Sequence, residues 1–179
     1  RKLTKLLREA GTMKGYVTSS LDNMTEIMKK IKDYEVGQVV KQVTTKQPVS
    51  YGKSNEKQIV LMDYGFKHNI VNSFLKRDVG VTVCPSTMPV ERILELKPDG
   101  ILLSNGPGDP EKCTKEIDII KKLSKTDLPI LGICLGHQLM ALAHGFKTAK
   151  LKYGHRGPNH PVKDLENGKV YITSQNHGY

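Results

Sequence analysis

The sequence predicts an α/β fold: a mostly parallel sheet with helices on both faces. Three observations carry that reading. From residue 59 onward, short apolar runs alternate with segments of helical period, as successive β-α units do. One unit is a strand, a turn and a helix built around Gly132-Ile133-Cys134-Leu135-Gly136. Finally, Asp63, Asn105 and Cys134 all fall at the ends of predicted strands, where parallel sheets place their sites.

Taken in order, Leu3, Leu6, Leu7 and Ala10 share one helical face over residues 2–10, and Gly11 follows as a stop. Met13 to Thr18 reads as a short strand. Leu21, Met24, Met28 and Ile31 repeat at helical spacing. The pattern fades between Gly37 and Glu56, where Thr44-Thr45-Lys46-Gln47-Pro48 and Tyr51-Gly52-Lys53-Ser54-Asn55 have the composition of a linker. A domain boundary is therefore expected over 41–57, and residues 1–40 are too few to bury a core of their own.

Ile59 to Met62 is a buried strand ending at Asp63-Tyr64-Gly65, and residues 68–77 form a helix with Ile70, Phe74 and Leu75 inward. Val79 to Cys84 is a strand stopped by Pro85, Pro89 to Leu96 a helix, Gly100 to Ser104 a strand and Lys115 to Leu123 a helix. The run Leu128-Pro129-Ile130-Leu131 is the strand that enters the central motif. Leu135, Leu139, Leu142 and Phe146 then mark one helix face, which Gly145 is placed to end. Beyond it, Lys150 to Pro161 reads as turns around short antiparallel strands, and Lys169 to Ser174 as another strand.

Composition bounds the function. The 179 residues carry a formal charge of +10, with +6 on residues 1–58 and +4 on the rest, so the positive charge is spread out. There is no Trp and no block of five basic residues, and aromatics do not alternate with the basic residues; nucleic-acid binding has a weak case, and a solvated surface, with room for an acidic partner protein, is the better reading of the charge. No apolar run approaches the roughly 20 residues of a membrane span, and Arg1-Lys2-Leu3-Thr4-Lys5 is no signal peptide. Cys84, Cys113 and Cys134 are an odd number without framework spacing, which fits a reducing, cytoplasmic setting. Cys134 and His137 lack the second close pair that a metal site needs, so no metal is expected. The opening has no Met and begins in helical pattern, as expected of a piece of a longer polypeptide.

The chemistry concentrates at Cys134. A reactive residue flanked by glycines at a strand-to-helix turn is the layout of a nucleophile elbow, with Cys in place of Ser. The start of a helix offers unpaired N–H groups and the positive end of its dipole, which favour a thiolate. The N–H of Leu135 is then aimed at an oxyanion. Ser104-Asn105-Gly106-Pro107-Gly108-Asp109-Pro110 follows another buried strand, and its two glycines let the backbone approach a ligand and supply a second oxyanion donor. His155, His160 and His177 lie in polar, Gly-rich stretches and are candidate bases as well as ordinary loop residues. Asn176-His177-Gly178 can offer amide and backbone groups to an amino-acid substrate.

The two glycine-rich motifs, Gly132-Ile133-Cys134-Leu135-Gly136-His137-Gln138 and Ser104 to Pro110, resemble the class I (triad-type) glutamine amidotransferases. The stretches Phe146 to Asp164 and Ser174-Gln175-Asn176-His177-Gly178-Tyr179 narrow the resemblance to the small, glutamine-hydrolysing subunits of carbamoyl-phosphate synthases. Arg1 to Arg8 and Gly11-Thr12-Met13-Lys14-Gly15 are similar to the end of the N-terminal domain of those subunits. The resemblance implies a flavodoxin-like amidotransferase domain over 58–179, truncated at its C-terminus, with residues 1–40 a remnant of the preceding domain. It implies Cys134 as nucleophile, and glutamine contacts from Gly106, Gly108, Leu135, Gln138, Asn176, Gly178 and Tyr179. It implies no cofactor in this chain. A large synthetase subunit would receive the ammonia and use ATP and Mg to make carbamoyl phosphate for arginine or pyrimidine synthesis.

The pattern departs from the family in two respects. The family's general base is a His followed by Pro and Glu, and no His-Pro-Glu occurs here; His160-Pro161-Val162 is not that motif. A family serine from the N-terminal domain that contacts glutamine is also absent. The sequence as it stands is expected to turn over glutamine poorly. Two other readings stay open: a non-catalytic assembly subunit that senses glutamine, and a different Cys-elbow α/β hydrolase.

Overall fold

The computed structural model describes residues 1–53 and 55–179; Ser54, within the expected linker, lies outside the described residues. Along the chain run α1 (Lys2–Ala10), α2 (Met24–Asp33), α3 (Val40–Val43), β1 (Val49–Tyr51), β2 (Lys57–Asp63), α4 (His68–Leu75), β3 (Val79–Pro85) and α5 (Val90–Glu95). Then follow β4 (Gly100–Leu103), a 3-10 turn (Pro110–Lys112), α6 (Thr114–Leu123), β5 (Ile130–Gly132), α7 (Leu135–Ala143), β6 (His155–Lys163) and β7 (Val170–His177). The chain divides into two compact units, residues 37–149 and the paired segments 1–36 and 150–179.

The unit of residues 37–149 is the expected α/β layer. Its sheet has the order β1-β3-β2-β4-β5, with β3, β2, β4 and β5 parallel and β1 antiparallel at one edge. Strand alternation sorts the apolar side chains into two cores. Val60, Met62, Ile101 and Leu103 face one side and pack with Ile93 of α5, Ile120 and Leu123 of α6, and Leu135 and Leu139 of α7. Leu61, Val81, Val83 and Leu102 face the other, with Val71 of α4. Each such side chain, fully buried, contributes about 1.5–3 kcal/mol. After β2 the chain moves outward to β3 and then returns to the opposite flank of β2 as β4. In open parallel sheets such a reversal is where sites are placed, here at the carboxyl ends of β2 and β4.

Two expectations are corrected here. The stretch read as linker forms α3 and β1, with Val49, Ser50 and Tyr51 opposite Val83, Thr82 and Val81. Three residues between Pro48 and Gly52 are too short to show a period, and their partner comes some thirty residues later. Met13 to Thr18 forms no strand: among the described residues no ladder includes it, and Val17 is 99% exposed. β-branched content does not make a strand without an edge to pair with.

In the unit of 1–36 and 150–179, Gly11 ends α1 at φ 79°, donating its N–H to the Leu7 carbonyl. Tyr153 donates its hydroxyl to the Arg8 carbonyl, and the nearby Lys152 carbonyl leaves no room for a Cβ at Gly11. Of the turns and short antiparallel strands expected over 150–161, the strand is β6 from His155, which pairs antiparallel with β7 and is irregular between Gly157 and His160. Pro158 and Pro161 are tolerated because the ribbon has only two strands.

Candidate active site

The elbow is built by backbone geometry. β5 ends at Gly132, and Ile133 donates its N–H to the Leu103 carbonyl at 2.9 Å. Cys134 then takes φ 51° and ψ −108° as the N-cap of α7. A non-glycine residue in the left-handed region costs about 1–3 kcal/mol and persists only where its surroundings impose it. The flanking glycines impose it by close packing. A Cβ on Gly132 would stand 2.6 Å from the His137 nitrogen, and one on Gly136 would collide with the Leu103 carbonyl. The glycines make the turn tight by lacking a Cβ, and the left-handed residue is the cysteine between them. Gly136 shares its N–H between the carbonyls of Ser104 (3.1 Å) and Ile133 (3.0 Å), which locks the first turn of α7 to the end of β4. Leu135, as the first helical residue, has no intrahelical acceptor for its N–H.

The three thiols differ in setting. Cys134 is exposed, whereas Cys84 and Cys113 are buried. Burial pushes the thiols of Cys84 and Cys113 up to about 11, aided at Cys113 by the negative charges of Glu116 and Asp109. Among the described residues, no group of three or more His, Cys, Asp or Glu could hold a metal ion.

The second loop, Ser104 to Pro110, leaves β4 beside the elbow. A Cβ on Gly106 would collide with the Tyr64 carbonyl and lie 2.8 Å from Leu135 Cδ2, so Gly106 is pressed between the β2 turn and the elbow. Gly108 has φ 101°, a conformation that favours glycine. Asp109 caps the 3-10 turn by accepting from the Glu111 N–H at 3.0 Å. Ser104, fully buried, accepts from the Tyr64 N–H at 2.9 Å and donates to the Asn105 carbonyl at 2.8 Å. Asn105 donates its side-chain amide to the Gly65 carbonyl at 3.0 Å. Asp63, 2% exposed, accepts from the backbone N–H groups of Thr45, Gly65 and Phe66. Asp63 was legible only as a residue at a strand end, and Ser104 only as part of a glycine-rich loop. Their hydrogen-bonding roles had one sequence signal, an Asp two residues before a Gly where an apolar strand stops.

Of the expected glutamine-contact residues, Gly106, Gly108, Leu135 and Gln138 lie with Cys134 in the unit 37–149. Gln138 stands one turn into α7 and donates its N–H to the Cys134 carbonyl at 3.1 Å. Asn176, Gly178 and Tyr179 belong to the other unit, at the end of β7. There Asn176 is opposite Arg156, and the Gly178 carbonyl accepts from the Leu151 N–H at 2.8 Å. The three candidate histidines also gather in that unit. His155 Nδ1 and His177 Nε2 are 3.2 Å apart, and the His155 ring lies 5.0 Å from that of His160.

Comparison with known proteins follows the same motifs. Residues 60–179 match the family model described as glutamine amidotransferase class-I. The chain belongs to this family. A solved structure of a protein named as a GMP synthase subunit, from Thermoplasma acidophilum, is similar in fold. It has a TM-score of 0.50 and 27% identity over 56% of this chain and 51% of that one. Over its whole length the chain is 48% identical to the carbamoyl phosphate synthase small chain of Clostridium perfringens, covering 51% of that protein. It is 49% identical to the carbamoyl phosphate synthase pyrimidine-specific small chain of Bacillus subtilis, again over its whole length and over 49% of that protein. The chain thus spans about half the length of the curated relatives it matches. Among the described residues no helix is long and apolar enough to cross a membrane.

Proposed function

We propose that this chain is the core of a glutamine-hydrolysing small subunit of carbamoyl-phosphate synthase, acting in the cytoplasm. The observation that carries the reading is Cys134, held at φ 51° on the first turn of α7 between two positions that exclude a Cβ. The Cys134 sulfur attacks the side-chain carbonyl carbon of glutamine, and the carbonyl oxygen becomes an oxyanion facing the N–H groups of Leu135 and Gly108. One such donor is worth about 2.7–4 kcal/mol in the transition state. The tetrahedral adduct collapses with cleavage of the C–N bond. The nitrogen takes a proton and leaves as ammonia, and the acyl group stays on sulfur as a thioester. Water then adds to the thioester, glutamate leaves and the thiol is restored. Gly106, Gln138, Asn176, Gly178 and Tyr179 complete the glutamine contacts in this reading.

The proton transfers need a base. The family's His-Pro-Glu does not occur in this sequence, so the reading applies to the whole small subunit rather than to these residues alone. The ammonia passes to a large synthetase subunit, which uses ATP, Mg and bicarbonate; this chain binds no cofactor of its own. Similarity to a pyrimidine-specific small chain supports a place in pyrimidine synthesis. The test is ammonia release from glutamine by the full-length protein, with and without its large subunit. Glutaminase activity is expected to rise on adding the partner and to fall at least a thousandfold in Cys134→Ser. Glutamine binding without ammonia release would favour the glutamine-sensing role instead. Full activity in Cys134→Ser would overturn the nucleophile assignment.

A further inference from the structure

The geometry points to Asp63 as a positioning residue for the oxyanion loop, acting through the turn 64–66. This inference rests on the glutaminase reading above. Asp63 closes β2 and is almost wholly buried, yet no basic side chain forms an ion pair with it among the described residues. Its charge is met by backbone N–H groups. Oδ1 accepts from Gly65 at 2.9 Å and Phe66 at 3.1 Å, and Oδ2 accepts from Thr45 at 2.7 Å. A carboxylate that accepts several backbone N–H groups defines a turn more tightly than a neutral acceptor does.

That turn is the surface on which the loop from β4 is laid. The Tyr64 N–H reaches Ser104 Oγ, the Gly65 carbonyl receives the Asn105 amide, and the Tyr64 carbonyl fills the space a Cβ on Gly106 would need. Gly65, at φ 119°, is also close to the loop, though less tightly: a Cβ there would stand 3.1 Å from Pro107 Cδ and 3.5 Å from Gly106 Cα. The loop is tied on its other side to the elbow, because the Ser104 carbonyl accepts from the Gly136 N–H. Asp63 therefore sets the Gly106–Gly108 backbone against a reference that the elbow shares. Its side chain takes no part in the chemistry.

The experiment uses the full-length small subunit with Asp63→Ala and Asp63→Asn. Asn keeps one carbonyl oxygen for the turn and loses the acceptor for Thr45, so it is a graded variant that keeps the test open even if Ala fails to fold. Asp63→Ala should lower kcat for glutamine at least tenfold with a smaller change in KM, because misplacing a donor weakens the transition state more than the ground state. Asp63→Asn should recover part of that loss. Affinity for a glutamine-derived aldehyde, whose adduct with Cys134 carries the oxyanion, should fall in step with kcat/KM. The rate of Cys134 alkylation should stay near wild type. Hydrogen exchange should rise in residues 104–108 of the variants and not in 133–138. Equal losses in alkylation and turnover, or unchanged aldehyde affinity, would overturn the inference. If the wild-type protein releases no ammonia, the glutaminase reading fails. The exchange pattern then decides the positioning by itself, and unchanged exchange at 104–108 overturns it.

Discussion

Helices α1 and α7 carry similar apolar spacing and meet opposite fates. In α7, Leu135, Leu139 and Ala143 are buried against the sheet. In α1, Leu3 is 64% and Leu6 52% exposed. The contrast extends to the units they belong to. Every buried apolar side chain lies within residues 37–149, and in 1–36 and 150–179 only Gly11 is buried among the described residues. Helical period makes an amphipathic element. A core also needs a second surface of matching shape, and the parallel sheet supplies one on each face.

Substitutions can break or sharpen that contrast. The largest effect is expected at Gly136→Ala, where the new methyl group would collide with the Leu103 carbonyl of β4. Backbone cannot give way as a side-chain end can, so the cost should reach about 3 kcal/mol or more, seen as insolubility or a large fall in the urea midpoint. Next is Leu139→Ala, fully buried in α7, which should lose about 2–5 kcal/mol. Leu6→Ala in α1 should change stability by less than about 0.5 kcal/mol. Urea denaturation of the chain of residues 1–179 measures both. A loss of about 2 kcal/mol or more at Leu6 would break the comparison, because a cost of that size belongs to a buried side chain and would mean that α1 is covered in this chain.

A smaller, chemical difference follows from the thiols. At pH 8, alkylation with peptide mapping should label Cys134 while Cys84 and Cys113 stay protected until urea is added. Both buried thiols titrate higher in the folded state than in the unfolded chain. Their contribution to stability is therefore complete below about pH 8.5 and is lost as pH rises towards 11. Replacing both by Ala or Ser should flatten the alkaline limb of the stability profile; an unchanged limb would sink this account. A small effect of opposite sign is expected at Gly15→Ala, in the other unit. A Cβ there meets nothing within 4 Å, and the reduced freedom of the unfolded chain should stabilise by about 0.4–1 kcal/mol.

Much of the fold was legible because the β-α units announce themselves locally. β2 and β4 are short apolar runs, α4, α6 and α7 show their period, and Gly11 is the stop it was expected to be. β1 was missed because three residues carry no period, and Met13 to Thr18 was over-read because a strand exists only with its partner. The elbow was legible as a motif, since glycine is the one residue that fits where a carbonyl or a helix turn comes within a Cβ of the backbone. Which residue bears the strain was not legible: the left-handed φ fell on Cys134 and not on its glycines.

The sequence by itself determined the layer architecture, the cysteine on its strand-to-helix turn and the glycine-rich loop that faces it, because each is written in residues adjacent along the chain. Tertiary structure decided that α1, the more amphipathic of the two helices, stays exposed while the more apolar α7 acquires a core. It also decided which carbonyls excluded a Cβ at Gly106 and Gly136, and it turned Asp63, a strand-end residue, and Ser104, a loop residue, into the struts of the loop. Those outcomes depend mostly on neighbours far away along the chain, and the strand order β3-β2-β4-β5 is what brings them within hydrogen-bond reach.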